Sequence, residues 1–249
     1  MERKTFDKFR ALVYDKSGIT LGDQKEALVS ARIAKRMRAL AIESQEAYYA
    51  AVMGDASGSE LVELIDAIST NFTSFFREPV HFEILTKLLM TWKSKGQCRF
   101  RIWCAAASTG EEPYTLAMTL REALGNSGVD AKILATDIST RVLQKCREGQ
   151  YDRQKIASVK AGLLQKYFEE VRGNGQSLYE VNESLRSLLA FRRLNLSTPP
   201  FPMQGPFDAV FCRNVMIYFD NHVRSRLVSE IYNLLKPGGH LMIGHAESL

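Results

Sequence analysis

The apolar positions of this 249-residue chain change their period near residue 70. Before that point they recur at helical spacing. Phe6, Phe9, Val13 and Tyr14 share one face of a first helix, which the turn Ser17-Gly18 interrupts. Val29, Ile33, Met37 and Leu40 form the stripe of a second helix, with Asp23 placed to cap it. A third helix is predicted around Glu46–Met53, ending at Gly54, and a fourth over roughly Glu60–Ser69. After the change, short apolar runs resemble strands: Phe100–Ala106, Lys132–Thr136, Leu189–Leu194, Phe207–Cys212 and His240–Gly244. Helical patterns at Tyr114–Ala123, Arg141–Glu148 and Arg224–Leu235 separate most of them. Alternating strand and helix predicts an α/β fold with a doubly wound, mostly parallel sheet behind a small all-α unit.

One stretch breaks the alternation. Tyr167–Val171 and Ser177–Val181 flank an Asn174-Gly175 turn, which predicts an antiparallel β-hairpin inserted between the second and third core strands. Composition adds little: 45% hydrophobic and 24% charged residues suit an ordinary globular core. No apolar run reaches the roughly 18 residues of a membrane helix, and the charged start MERKTFDKFR is unlike a signal peptide. Four cysteines without CxxC spacing predict buried free thiols in a reducing cytoplasm, and the four scattered histidines suggest no metal. The net charge of +5 matters mainly through its distribution. Arg32, Lys35, Arg36 and Arg38 lie off the apolar stripe of the second helix, with no aromatic residues interleaved to stack on bases. A solvated face is the plain reading of such a run; an acidic protein partner is the functional one.

The chemistry concentrates where strand patterns end. RFRIWCAAASTGEEPYT, from Arg99, runs a strand into a small-residue turn and a helix start, the place where α/β folds hold nucleotides. Glu111 and Glu112 would repel a phosphate, and no cation in the turn offsets them. The loop instead suits a nucleoside that carries a positive charge, which points to S-adenosylmethionine. As a purely structural element, Ser108 or Thr109 would cap the helix. Asp137 ends the second strand, where it could take both ribose hydroxyls or cap the next helix. Asn195 and Leu196 follow the third strand and could meet an adenine edge and face, or simply turn the chain before Pro199-Pro200. Arg213-Asn214 end the fourth strand, and Tyr218 follows Asn214 by one helical turn. In TNFTSFFREP, the polar Asn71, Thr73 and Arg77 alternate with Phe72, Phe75 and Phe76, so Arg77 is expected in the cleft while Phe75-Phe76 anchor.

Together TNFTSFFRE, WCAAASTGEEPYTLAMTL, ATDIST, NL, FDAVFCRNVMIYFD and LLKPGGHLMIGHAES resemble the CheR family of chemotaxis receptor methyltransferases over almost the whole chain. The resemblance implies transfer of a methyl group from S-adenosylmethionine to receptor glutamates, with S-adenosylhomocysteine as product. It implies a helical receptor-recognition domain at 1–70, a linker at 71–80, and a methyltransferase domain at 81–249 with a β-subdomain at about 165–185. It places Asn71, Thr73, Arg77, Glu112, Asp137, Asn195, Leu196, Arg213 and Asn214 around the cofactor, with Glu112 preferred to Glu111. Arg77 and Tyr218 match the proposed catalytic pair, and Arg32, Lys35, Arg36 and Arg38 match the receptor-recognising helix. The implied partner is the cytoplasmic domain of a chemoreceptor, and in some members the β-subdomain also grips a peptide at the receptor's C-terminus. A cytoplasmic monomer without metal, nucleic acid or membrane insertion is expected. The family's sheet continues into a further strand beyond GHAES. Two other readings compete: methylation of RNA or a small molecule, and a non-catalytic cofactor-binding module.

Overall fold

A computed structural model of the chain describes residues 2–69, 72–125, 128–173 and 176–248. Four helices come first: α1 (Arg3–Ser17), α2 (Glu26–Ala39), α3 (Gln45–Gly54) and α4 (Ser59–Ile68). They bury Phe6, Phe9, Val13, Val29, Ile33, Tyr48 and Leu64 in a core of their own. Tyr14 and Leu40, at the ends of their predicted stripes, remain exposed. Asp23 does not cap α2. It opens a short 3₁₀ turn, Asp23–Lys25, and its carboxylate pairs with Arg3 and Arg10.

The second part is a five-stranded parallel sheet of β1 (Arg99–Cys104), β2 (Asp130–Asp137), β6 (Leu189–Arg193), β7 (Phe207–Cys212) and β8 (Leu235–Ile243), in the order β6-β2-β1-β7-β8. The order reverses beside β1, which makes the carboxyl ends of β1 and β7 a topological switch point. Every residue of β7 is buried, as expected for a strand covered on both faces. Helices α5 (Val80–Ser94), α6 (Glu111–Leu124), α7 (Thr140–Glu148) and α10 (Asn221–Leu234) complete the layers around it.

The insertion is larger than a hairpin. β4 (Phe168–Gly173) and β5 (Gln176–Val181) pair antiparallel as predicted, and a two-residue strand β3 (Gln150–Tyr151) joins β5. The turn residues Asn174 and Gly175 lie outside the described residues. Helices α8 (Ala161–Tyr167) and α9 (Glu183–Arg186) flank this small sheet. Of the cysteines, Cys104, Cys146 and Cys212 are buried and unpaired, whereas Cys98 is exposed, because it precedes β1 at the sheet's open end.

Candidate functional site

Strand ends, the 72–78 linker and the helical domain meet around one cleft, whose empty volume is about 1110 Å³ with its open mouth included. Thr73, Arg77, Glu112, Asp137, Asn195, Leu196, Arg213, Asn214 and Tyr218 all line it. Asn71 lies outside the described residues.

The floor is built at the end of β1. Trp103 Nε1 donates to the Thr136 hydroxyl, which donates in turn to the Ala105 carbonyl, locking β1 to β2 where both strands stop. Ser108 then adopts φ 47°, a left-handed conformation that is costly for a residue with a Cβ, and its buried hydroxyl has no partner. Its backbone N–H donates to Asp137 at 2.9 Å. Neither Ser108 nor Thr109 caps α6; Gly110 begins the helix at φ 101°, and a Cβ there would strike the Tyr151 hydroxyl. That glycine serves packing against the small sheet rather than approach to a ligand.

The two carboxylates of the turn separate. Glu111 is fully buried, accepts from Thr109 Oγ1, and pairs with Lys155 at 2.8 Å. Glu112 faces the cleft, where it accepts from Arg213 Nη1 and from the Cys104 thiol. Burial pushes the pKa of Glu112 up, and Arg213 offsets only part of that. Asp137 is pushed from 3.8 to about 6 by burial, against the N–H groups of Ser139 and Ser108 that favour its ionised form. Ser139, not Asp137, caps α7.

Arg213 joins three pieces. Its fully buried guanidinium meets Glu112, donates to the Arg77 carbonyl at 2.6 Å and pairs with Glu78 at 3.0 Å. Glu78 also accepts from Asn214 Nδ2 at 3.2 Å. Burial works against ionised Glu78, but the bonds from Arg213 and Asn214 outweigh it and hold its pKa below the ordinary carboxylate range. His81 and His245, far apart in sequence, lie beside Glu78 within 4.8 Å of one another. Burial and the Arg213 charge depress the His81 pKa, and that fixed cation makes the cluster a poor place for a metal ion.

The linker follows its predicted pattern only in part. Phe75 is buried, edge-on to Tyr151 and Phe168, and Phe76 packs against the core. Phe72 is 77% exposed, with the Arg77 guanidinium 5.7 Å above its ring. Arg77 Nη1 donates to the Phe72 carbonyl at 3.0 Å. Tyr218 sits in a 3₁₀ turn, Met216–Tyr218, with Lys25 Nζ 5.0 Å over its ring.

Two sets of expected site residues also carry contacts within the protein. Asn195 lines the cleft while Nδ2 donates one N–H to the Lys16 carbonyl at 2.9 Å and Oδ1 accepts from the Ser197 N–H and hydroxyl. The amide thus also ties α1 to the loop after β6. The four cations of α2 are likewise not one free face. Arg32 caps the end of α4 through the carbonyls of Ala67, Ile68 and Ser69, and Arg36 is held by Glu60 and Glu63. Lys35 and Arg38 alone of the four are exposed.

Some contributors are not among the site residues the sequence pattern singles out. Ser17, Ile19, Leu21, Lys25 and Val29 of the helical domain form one wall of the cleft. Glu78 and Glu247 act on the cleft through groups distant in the chain. As a whole, the lining suits a cationic nucleoside. It offers carboxylates at two strand ends, apolar cover from Leu196 and Ile138, and unpartnered polar atoms at Ser108 Oγ and Arg213 Nε.

The family model described as "CheR methyltransferase, SAM binding domain" matches residues 71–249, and "CheR methyltransferase, all-alpha domain" matches residues 4–69. A chemotaxis protein methyltransferase of Salmonella typhimurium is 38% identical over 243 residues, covering 98% of this chain and 83% of that protein. Chemotaxis protein methyltransferase 2 of Pseudomonas aeruginosa is 39% identical over 246 residues, covering 99% and 87%. One from Borreliella burgdorferi is 38% identical over 245 residues, covering 96% and 86%.

Proposed function

This chain belongs to the CheR methyltransferase family, and from that premise we propose that it esterifies glutamate side chains on the cytoplasmic domains of chemoreceptors. The observation that carries the reading is the convergence of Glu112, Asp137, Arg77 and Tyr218 on one cleft.

When bound, S-adenosylmethionine supplies a methyl group on a sulfonium centre; the methyl–sulfur bond breaks as a carboxylate oxygen bonds to carbon, and the electron pair stays on sulfur. Ionised glutamate is already nucleophilic at neutral pH, so the protein's task is alignment and exclusion of water. Orientation of this kind can supply roughly 7–11 kcal/mol. Glu112 would hold the amino-acid end of the cofactor by a charge-assisted contact, and Asp137 the ribose. Thr73, Leu196, Arg213 and Asn214 complete the cofactor wall, and Asn71 is assigned to it from the motif alone. Arg77 would orient the incoming glutamate, and Tyr218 would donate a hydrogen bond near the transfer site.

We assign receptor recognition to residues 1–70, the cofactor-contacting linker to 71–80 and catalysis to 81–249. The exposed Lys35 and Arg38 are the charges available to an acidic receptor helix. A receptor tail peptide would pair with the small sheet at about 165–185. Among the described residues no helix is long and apolar enough to cross a membrane, and we place the enzyme in the cytoplasm as a monomer.

The test uses radiolabelled cofactor with receptor cytoplasmic fragments and RNA side by side, followed by alkali. Base-labile methanol from the receptor fragment supports the reading. Label in RNA, or label in protein that resists alkali, would replace it; cofactor binding without any transfer would leave only a binding module.

A further inference from the structure

Behind the cleft, one carboxylate gathers four backbone N–H groups. Glu247 Oε1 accepts from Val215 at 2.9 Å and Met216 at 2.8 Å, while Oε2 accepts from Asn214 at 2.7 Å and Gly244 at 2.6 Å. The segment it holds leads from the end of β7 into the 3₁₀ turn that ends at Tyr218. That segment is strained. Asn214 has φ 56°, a conformation a non-glycine residue keeps only when its surroundings impose it. Among the described residues no other side chain bonds the N–H groups of 214–216; Glu247 holds the backbone of this turn, while Glu78 holds the Asn214 side chain. Gly244 is fitted to the same purpose: a Cβ there would run into Asn214 Nδ2 and crowd Glu247 Oε2.

We propose that Glu247 is a positioning residue for methyl transfer. By taking the N–H groups of Asn214, Val215 and Met216 it fixes the turn that presents Asn214 and Tyr218 to the cleft. Glu247 itself does not line the cleft, so it acts only through the turn. The geometry also gives the segment after β8 a catalytic purpose, because its conformation is read out by the neighbouring strand's active loop. The inference rests on the roles given to Asn214 and Tyr218 under the proposed function.

Two variants perturb the clamp from opposite sides. Glu247→Gln keeps the size of the side chain but sets an NH₂ against backbone donors; Gly244→Ala keeps the carboxylate and wedges Asn214. Each is measured for S-adenosylhomocysteine affinity by calorimetry, for kcat and KM on a receptor fragment, and for thermal midpoint. Glu247→Asp, which retains the charge on a shorter arm, is the rescue. Loss of charge-assisted hydrogen bonds in Glu247→Gln and displacement of Asn214 in Gly244→Ala each predict a fall in kcat/KM of about 10- to 100-fold, with weakened product binding and, for position 247, partial recovery in the aspartate. The thermal midpoint should stay above the assay temperature in all three. Unchanged kcat and affinity in Glu247→Gln overturns the proposal. So does a loss of activity that only tracks the unfolded fraction. Product binding needs no receptor, so a wild-type protein that binds S-adenosylhomocysteine but esterifies no glutamate would remove the substrate reading and leave the clamp still measurable.

Discussion

The backbone N–H of Ser108 donates to Asp137 Oδ2 at 2.9 Å, so the loop leaving β1 is fastened to the last residue of β2. One carboxylate thus shapes the loop after β1 and, in the proposed function, is also the ribose acceptor.

The raised pKa of Asp137 gives this contact a pH signature. Its native value of about 6 lies above the ordinary 3.8, so the folded protein holds the proton longer than the unfolded chain. The associated stability is complete below about pH 4 and is lost as pH rises through about 6. Under the proposed ribose contact, ligand binding runs the other way, because the hydroxyls donate best to an ionised acceptor. Affinity for S-adenosylhomocysteine should fall as pH drops through about 6. Calorimetry across that range is the check, and Asp137→Asn should bind weakly with a flat profile.

Arg213→Met should destabilise the fold as well as the site. It leaves Glu112 and Glu78, whose side chains are only 12% and 13% exposed, without their shared cation. Breaking a buried pair in this way costs about 3–5 kcal/mol. A urea titration reads the loss, and a midpoint equal to that of the parent would contradict the pairing.

For Arg77→Ala the expected effect is kinetic. Among the described residues its guanidinium bonds the Phe72 carbonyl and lies over the Phe72 ring, both within the linker, so little of the fold depends on it. Turnover should drop about 100-fold, the scale of a misaligned reactant, while the unfolding midpoint stays near that of the parent. Parent-like turnover would take Arg77 out of the mechanism.

The cations of α2 should divide by burial. Charge reversal at Lys35 and Arg38 should slow receptor methylation at low salt, with the difference from the parent shrinking as salt rises and cofactor affinity unaltered. Reversal at Arg36 should instead cost about 1–3 kcal/mol of stability, because Glu60 and Glu63 lose their partner. Methylation rates at two salt concentrations and denaturant midpoints separate the two effects.

The strands and most helices could be read from the chain because their apolar periods are clear: all five core strands overlap predicted runs, although β8 starts at Leu235, ahead of the run at His240–Gly244. The strand Gln150–Tyr151 could not, since two residues are too few to show alternation. The predicted site residues meet because strand ends in a parallel sheet meet. What sequence alone could not show was which polar groups were already engaged. Asn195 and Arg36 have the chemistry for ligands, and each also bonds a partner 179 or 24 residues away. Glu78 and Glu247 lie inside the motifs TNFTSFFRE and LLKPGGHLMIGHAES, but what they hold, Arg213 and the 214–216 turn, is far from them in the chain and so was not legible there.

The wall that α1 and α2 contribute to the cleft, pinned by Lys16 to Asn195, makes the chamber a composite of the helical part and the strand ends. A partner that tilts the helical bundle therefore changes the room left inside it. Thermodynamic reciprocity then requires a filled chamber to alter the grip on that partner by the same factor.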